Sequence, residues 1–343
     1  MKSIPVIAFF NNKGGVGKTS LVYHLAWMYS DLGLRVVAAD LDPQANLTAA
    51  FLEDERLEDL WPDGDHPRTV FGCVQPLLKG KGDIAEPYLE PVGSTALWRS
   101  EDEPLGLLVG DLMLSGFEDE LSSQWPGCMD RKERAFRVIS AFWRIMQKAA
   151  EIHHADLILM DLGPNLGAIN RAALISANYV VIPLSSDLFS LQGLRNLGPT
   201  FRRWRQEWQE RHGRNPAQDL PLPAGEMQPV GYIVQQHTVR LDRPTKAYDR
   251  WIARFPEEYR NAVLDEPGDT RMPVGQDPHC LALVKHYRSL IPLAQDARKP
   301  MFHLKPADGA IGAHLQAVQE AYGHFRQLAE KIAERTGISL PPR

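Results

Sequence analysis

Within eight residues the chain sets three glycines, two lysines and two hydroxyls: Lys13-Gly14-Gly15-Val16-Gly17-Lys18-Thr19-Ser20. Glycines let backbone N–H groups turn inward and approach a polyphosphate closely. Lys18 supplies a mobile charge for the terminal phosphates, and the Thr19 hydroxyl is placed to bind Mg2+. The general GxxxxGK(S/T) pattern is not met in full, because Asn12 stands where its first glycine would be. An additional lysine, Lys13, precedes the glycine pair instead.

Two acidic segments could complete such a site. Asp40 and Asp42 close the run Arg35-Val36-Val37-Ala38-Ala39-Asp40-Leu41-Asp42. Leu157-Ile158-Leu159-Met160-Asp161-Leu162-Gly163-Pro164 is a second apolar run ending in an acid, the general form of a Walker B element, with Asp161 expected to bind Mg2+ through water. Strand carboxyl ends are where ligands bind in open α/β sheets.

These residues need a scaffold of strands feeding helices. Residues 4–10 read as a buried parallel strand, followed by the glycine loop and a helix from about Thr19 to Leu32, stopped by Gly33. That order points the positive end of a helix at a bound anion. Further apolar runs occur at Leu107–Val109, Leu157–Met160, Tyr179–Pro183 and Val230–Val234, with helical patterns at Arg134–Glu151 and Asn170–Ala177 between them. Alternation of this kind predicts an α/β fold, a doubly wound, mostly parallel sheet flanked by helices. Residues 1–343 are expected to form a single domain, with residues 53–103 as an acidic, loop-rich insertion and about 310–335 as a helical C-terminal extension. Segments 213–228 and 256–278 read as loops, and Gly198-Pro199 is expected to break the helical stretch it lies in.

Composition excludes several classes. Cys73, Cys128 and Cys280 stand far apart with no CxxC spacing, which argues against a disulfide framework, a zinc site or an iron–sulfur site. The apolar N-terminal stretch is too short for a signal-peptide core, and no run of ~18 apolar residues occurs to span a membrane, so a cytoplasmic protein is expected. The net charge of −5 means that any nucleic-acid contact must come from a local patch.

The loop resembles the deviant Walker A motif of the ParA/MinD superfamily of P-loop ATPases, and most of the chain shares the resemblance. Asp40-Leu41-Asp42-Pro43-Gln44-Ala45-Asn46 is similar to the family's DxDPQ.N stretch, and Gly110–Glu118 to a G.l.Ls.fE stretch of long partition ATPases. Ala177–Leu184 resembles the strand after Walker B, and residues 286–302 a C-terminal block. The resemblance implies ATP and Mg2+ as cofactors and a homodimer with ATP sandwiched at its interface. It makes Lys13 the lysine that reaches the partner's ATP and Lys18 the phosphate lysine of its own subunit. Gly14, Gly15, Val16, Gly17, Lys18, Thr19 and Ser20 would cradle the nucleotide. Asp42 would orient the attacking water, Asp40 would support the Mg2+ shell, and Gln235 falls about where the family contacts adenine. The family usually carries Pro-Pro after the Walker B acid; here the first is Gly163, which keeps an N–H that can contact the γ-phosphate.

The same resemblance implies nonspecific DNA as the surface used, nucleoid association and a ParB-like activating partner, for partition of a plasmid or chromosome. Leu191–Arg214 offers Arg195, Arg202, Arg203, Arg205, Arg211 and Arg214 against Glu207 and Glu210, with Trp204 and Trp208 interleaved. Such arginines on one face would neutralise phosphates; the alternative is a solvated helix whose tryptophans pack inward. Arg240, Arg243, Lys246, Arg250 and Arg254 form a second basic candidate. A membrane-riding relative would use Phe325, Leu328, Ala329 and Ile332 as the apolar face of an amphipathic helix, which Glu330 and Glu334 oppose. An ATP-gated adaptor for a protein partner stays open, because the ATPase site is shared while partners differ.

Overall fold

The computed structural model describes residues 3–93, 103–235, 250–268, 272–285, 287 and 289–342. Its strands are β1 (Val6–Phe9), β2 (Val36–Asp40), β3 (Glu90–Val92), β4 (Leu105–Leu108), β5 (Leu157–Asp161), β6 (Tyr179–Ser185), β7 (Gln228–Gln235) and β8 (Cys280–Val284). They form one sheet in the order β3-β4-β2-β5-β1-β6-β7-β8, in which only β3 runs antiparallel. β1 lies between β5 and β6, so the loop that follows it opens beside the ends of β2 and β5.

Burial on both faces explains the continuous apolar runs. In β1, Val6 and Ala8 join a core under one helical layer, and Ile7 and Phe9 a second core under the other. The first layer holds α4 (Val70–Leu78), α5 (Glu118–Gly127), α6 (Glu133–Ile139), α7 (Ala141–His153), α8 (Ala168–Ile175) and α9 (Leu188–His212). The second holds α1 (Lys18–Asp31), α2 (Asn46–Phe51), α3 (Asp54–Leu60) and the C-terminal helix Ala313–Thr336. The doubly wound parallel sheet expected from the sequence is therefore present.

Three local expectations differ. Residues 53–93 hold regular elements between their loops: they contribute α3, α4 and β3, and bury Leu60, Val70, Phe71, Val74 and Leu77, while 94–102 of the expected insertion lie outside the described residues. Asp54, Glu55, Glu58 and Asp59 hide the pattern by charging the exposed face of a short helix. Arg134–Glu151 is two helices, separated at Ser140, whose hydroxyl donates to Phe136 O (2.7 Å) and accepts from Arg144 Nε (3.1 Å). The helix expected to break at Gly198-Pro199 is continuous from Leu188 to His212. Proline removes one helical hydrogen bond there, but packing overrides it: a Cβ on Gly198 would lie 1.8 Å from Ala262 O, so the turn Tyr259–Leu264 seats on the bare backbone.

Among the described residues no helix is long and apolar enough to cross a membrane. Phe325, Leu328, Ala329 and Ile332, the face a membrane anchor would need, are buried in the second core, and Tyr29 of α1 donates its hydroxyl to Ala329 O (3.0 Å).

Candidate phosphate and magnesium site

The glycine loop has the backbone shape that an anion needs. Gly15 and Gly17 both take φ of 71°, the left-handed region that side chains avoid, which turns successive N–H groups to one side. Asn11, fully buried at the end of β1, anchors the loop: its Nδ2 donates to Pro183 O (2.7 Å) and its Oδ1 accepts from Lys13 N (3.0 Å). Gly17 caps α1 without a side chain, so the helix presents free N–H groups at its start. Lys18 is buried and its Nζ donates to Lys13 O (3.3 Å), with burial lowering its pKa against the pull of Asp161 and Asp42. That arrangement holds a cation inside the loop with only a carbonyl to solvate it.

Asp161 and Asp42 act on it; Asp161 pairs in register with Asp40 on the adjacent parallel strand, and Asp42 follows that strand by two residues. Asp161 is fully buried; the Thr19 hydroxyl approaches its carboxylate, but neither oxygen has a partner at ordinary hydrogen-bond geometry. Burial, reinforced by Asp40, pushes its pKa up to about 8. A buried carboxylate short of donors is costly, and a divalent cation removes the cost. Among the described residues no cluster of three or more His, Cys, Asp or Glu side chains could hold a metal by itself. The donors present, Thr19 and Asp161, fit Mg2+ whose remaining positions come from phosphate and water. Bound there, the ion would neutralise charge on the terminal phosphates.

Asp40 stands next to Asp161, where its expected support of the metal shell would place it, and is itself hydrogen-bonded within the fold. Its Oδ2 accepts from Thr48 N and Thr48 Oγ1 (both 2.8 Å), and its Oδ1 from Asp42 N (3.3 Å). Burial raises its pKa as well, to about 7. Its lone pairs are largely spent on orienting the 42–48 segment. Asp42, buried to 6% exposure, accepts from Gln44 N (3.0 Å) through Oδ1, leaving Oδ2 available for a water. Gly163 lies against it: a Cβ there would come 3.1 Å from Asp42 Oδ1. Gln235 reaches the loop too, for a Cβ on Gly17 would meet its amide nitrogen at 2.4 Å.

Lys13 is the expected site residue with an unforeseen partner. Its Nζ pairs with Asp187, whose other oxygen caps α9 by accepting from Ser190 N (2.9 Å). The spacing Asp187-Leu188-Phe189-Ser190 is a helix-start signal that would have located this acid. Thr48 and Asn11 carried no comparable signal, since their roles exist only where three strands meet.

The arginines of α9 do not gather into one open cationic face. Arg195 is bidentate to Glu258 (2.8 Å for both bonds), and Arg202 donates to Ala262 O (2.8 Å). Arg205 donates to Glu226 O and Met227 O (both 2.8 Å), and Arg211 stacks on Trp125. Arg203 is mostly exposed and sits 3.9 Å from Glu207, while Trp204 and Trp208 are buried. The inward-packed helix weighed against a DNA surface thus describes most of this segment. In the second basic candidate, Arg240, Arg243 and Lys246 lie outside the described residues, and Arg250 and Arg254 flank the Trp251 ring.

Known proteins resemble this chain in sequence and in fold. A family profile described as an AAA domain matches residues 4–212. The chain is 28% identical over 197 residues to the sporulation initiation inhibitor protein Soj of Bacillus subtilis, a match covering 57% of this chain and 64% of Soj. It is 31% identical over 197 residues to the protein IncC of Escherichia coli, covering 57% of this chain and 45% of IncC. Against the chromosome partitioning protein ParA of Caulobacter vibrioides it is 28% identical over 200 residues, covering 58% and 63%. The match thus spans less than two thirds of each of these relatives. Two solved structures share the fold across nearly the whole chain. Protein DIP2308 of Corynebacterium diphtheriae has a TM-score of 0.68 at 24% identity, covering 97% of this chain and 99% of that one. An ATP complex of Cyanothece McdA has 0.63 at 14% identity, with both chains fully covered. By its glycine loop, its strand-end acids and these matches, the chain belongs to the family described as an AAA domain, within the ParA/MinD superfamily of P-loop ATPases.

Proposed function

We propose that the protein is a partition-type ATPase: it binds Mg·ATP in the loop 13–20, pairs with a second copy across two nucleotides, and hydrolyses ATP slowly until a partner protein stimulates it. The observation that carries this reading is the buried Asp161 carboxylate, short of donors apart from the nearby Thr19 hydroxyl, beside Lys18. Asp42 orients the water, Lys18 and the loop N–H groups hold the phosphates, and Lys13 reaches the nucleotide of the other subunit. Two triphosphates face to face bring roughly eight negative charges together, and desolvated like charges repel strongly. A lysine donated by each subunit offsets this only when both nucleotides are present, so the dimer reports nucleotide state. Exposed Leu112, Met113, Leu166, Leu188 and Phe189 follow β4, β5 and β6 at the carboxyl edge where the second copy would sit.

The ATP dimer would ride nonspecific DNA and position a plasmid, chromosome or other cargo, with a ParB-like protein as activator. The engagement of Arg195, Arg202 and Arg205 within the fold favours a second reading, an ATP-gated adaptor that docks on a protein. One experiment separates them: binding of Asp42→Ala protein to a random duplex with ATP, ADP or no nucleotide across a salt series. ATP-dependent, steeply salt-dependent binding supports the DNA-riding switch. A dimer that ignores DNA in every state supports the adaptor.

A further inference from the structure

Asn170 and Glu118 converge on the turn after Asp161 from two different elements. Asn170, on α8 and buried to 1% exposure, donates through Nδ2 to Gly163 O (2.9 Å), Asn165 O (2.7 Å) and Asn165 Oδ1 (3.0 Å). Asn165 Oδ1 in turn accepts from Gly167 N (2.9 Å). Glu118, the first residue of α5, caps α8 from outside by accepting from Ala168 N and from Ile169 N (2.8 Å). Gly167 brings the cap close: a Cβ there would meet Glu118 Oε1 at 2.6 Å. The turn is thus fixed from above by an amide and from its far end by a carboxylate.

What it touches is the reacting region. Gly163 abuts Asp42, and a Cβ on Gly14 of the phosphate loop would lie 3.8 Å from Pro164 Cγ. The segment that ends in Glu118 starts equally close to the acids. Gly110 N donates to Thr48 Oγ1 (2.8 Å), and a Cβ on Gly110 would meet Asp40 Oδ2 at 2.7 Å. Between these ends, Asp111 caps the turn Leu112–Phe117 by accepting from Met113 N (2.8 Å), and also accepts from Thr69 Oγ1 (2.6 Å). Residues 110–118 form a short strut with one end on Asp40 and the other on the helix behind Gly163.

We propose that Asn170 and Glu118 are positioning residues for hydrolysis, which hold the Gly163–Asn165 turn at the distance from Asp42 that aims its carboxylate at the attacking water. The proposal rests on the ATPase reading given above. Loosening the turn leaves the phosphate loop, Lys18 and Asp161 in place, so nucleotide affinity is kept while turnover falls. A misplacement of about 1 Å in a reacting group costs on the order of 100-fold in rate.

The test measures Mg·ATP affinity, turnover and thermal midpoint for wild type, Asn170→Ala, Glu118→Gln and Gly163→Ala, and for the Asn170→Ala/Gly163→Ala pair. Glu118→Gln keeps the shape of the cap and carries the test if Asn170→Ala does not fold. Expected are at least a ten-fold loss of turnover in each single variant, affinity within about three-fold of wild type, and little further loss in the pair, because both substitutions act through one contact with Asp42. Turnover within two-fold of wild type, or affinity lost in proportion to turnover, overturns the positioning role. Losses that simply multiply in the pair overturn it as well, since independent structural damage adds. A wild-type protein that neither binds nor hydrolyses ATP refutes the ATPase reading itself, before any variant is compared.

Discussion

Lys13 is held by Asp187 of its own chain, and the carboxylate that holds it also starts α9. Under the proposed reading Lys13 would have to leave this pair to reach a second copy, so the ion pair would oppose dimerisation. Asp187→Asn keeps the cap acceptor for Ser190 N and removes the charge. A part-exposed pair is worth about 0.2–1 kcal/mol, and a dimer releases two of them, so Asp187→Asn should dimerise with ATP at a protein concentration roughly two- to thirty-fold lower. Lys13→Ala should lose ATP-dependent dimerisation altogether. Light scattering with ATP and ADP reads both, and an unchanged dimer in Lys13→Ala removes the intersubunit role.

Asp42 and Lys18 should separate binding from turnover. Lys18→Ala removes the buried cation beside the phosphates and should abolish measurable nucleotide binding. Asp42→Ala should bind Mg·ATP as wild type does, lose about 100-fold or more in turnover, and accumulate as a dimer. Full turnover by Asp42→Ala sinks the assignment of the water-orienting carboxylate.

The buried acid pair predicts a pH dependence with a definite sign. Burial raises both Asp40 and Asp161 above the ordinary carboxylate range. Below that range both folded and unfolded chains carry the protons and the pair contributes no slope. As pH rises from about 4 toward 8 the unfolded chain has released protons that the fold retains, so stability falls with pH. The thermal midpoint of nucleotide-free protein should therefore drop between pH 5 and 8 (buffer points chosen from the ~4 to ~8 window). Asp161→Asn should flatten that slope and abolish Mg2+-dependent nucleotide binding, whereas excess Mg·ATP should restore stability at the upper end. A midpoint that rises with pH in wild type and is unaltered by Asp161→Asn refutes the account.

Arg205 should behave as a structural residue. Its two bonds to the carbonyls of Glu226 and Met227 tie α9 to the strand entering β7. Arg205→Ala leaves both acceptors short of a charged donor and should cost about 1–3 kcal/mol of stability. Arg203→Ala, at an exposed position, should cost within about 0.5 kcal/mol. Denaturant midpoints check both. DNA affinity is best probed with Arg203→Glu, because its folding is least affected.

The apolar residues at the carboxyl edge give a further handle on the dimer. Phe189 is 73% exposed and lies two residues from Asp187. Phe189→Asp should leave nucleotide binding intact and weaken the ATP dimer by about ten-fold or more, through loss of a buried aromatic and introduction of an unpaired charge. Size-exclusion profiles at fixed ATP measure it, and an unshifted profile places the second copy elsewhere.

Elements whose physics is local could be read from the residues alone. Val6–Phe9 is readable as a strand, and the glycines at 14, 15 and 17 and the acids Asp40, Asp42 and Asp161 as the residues of the proposed site, because apolar runs, backbone freedom and charge at strand ends can be read one segment at a time. The doubly wound sheet was readable too, through alternation of strand and helix. What only the tertiary structure decided are relationships between distant segments. Asp187 meets Lys13 across 174 positions, Glu118 caps a helix 50 positions away, and Gly110 pins Asp40 through Thr48 62 positions before it. The same holds for the α9 arginines, whose charge suggested a surface while their partners Glu258, Ala262 and Met227 lie in later elements. Even the expected break at Gly198-Pro199 fails for this reason: local propensity disfavours the helix, and the approach of Ala262 to a residue without a side chain overrides it.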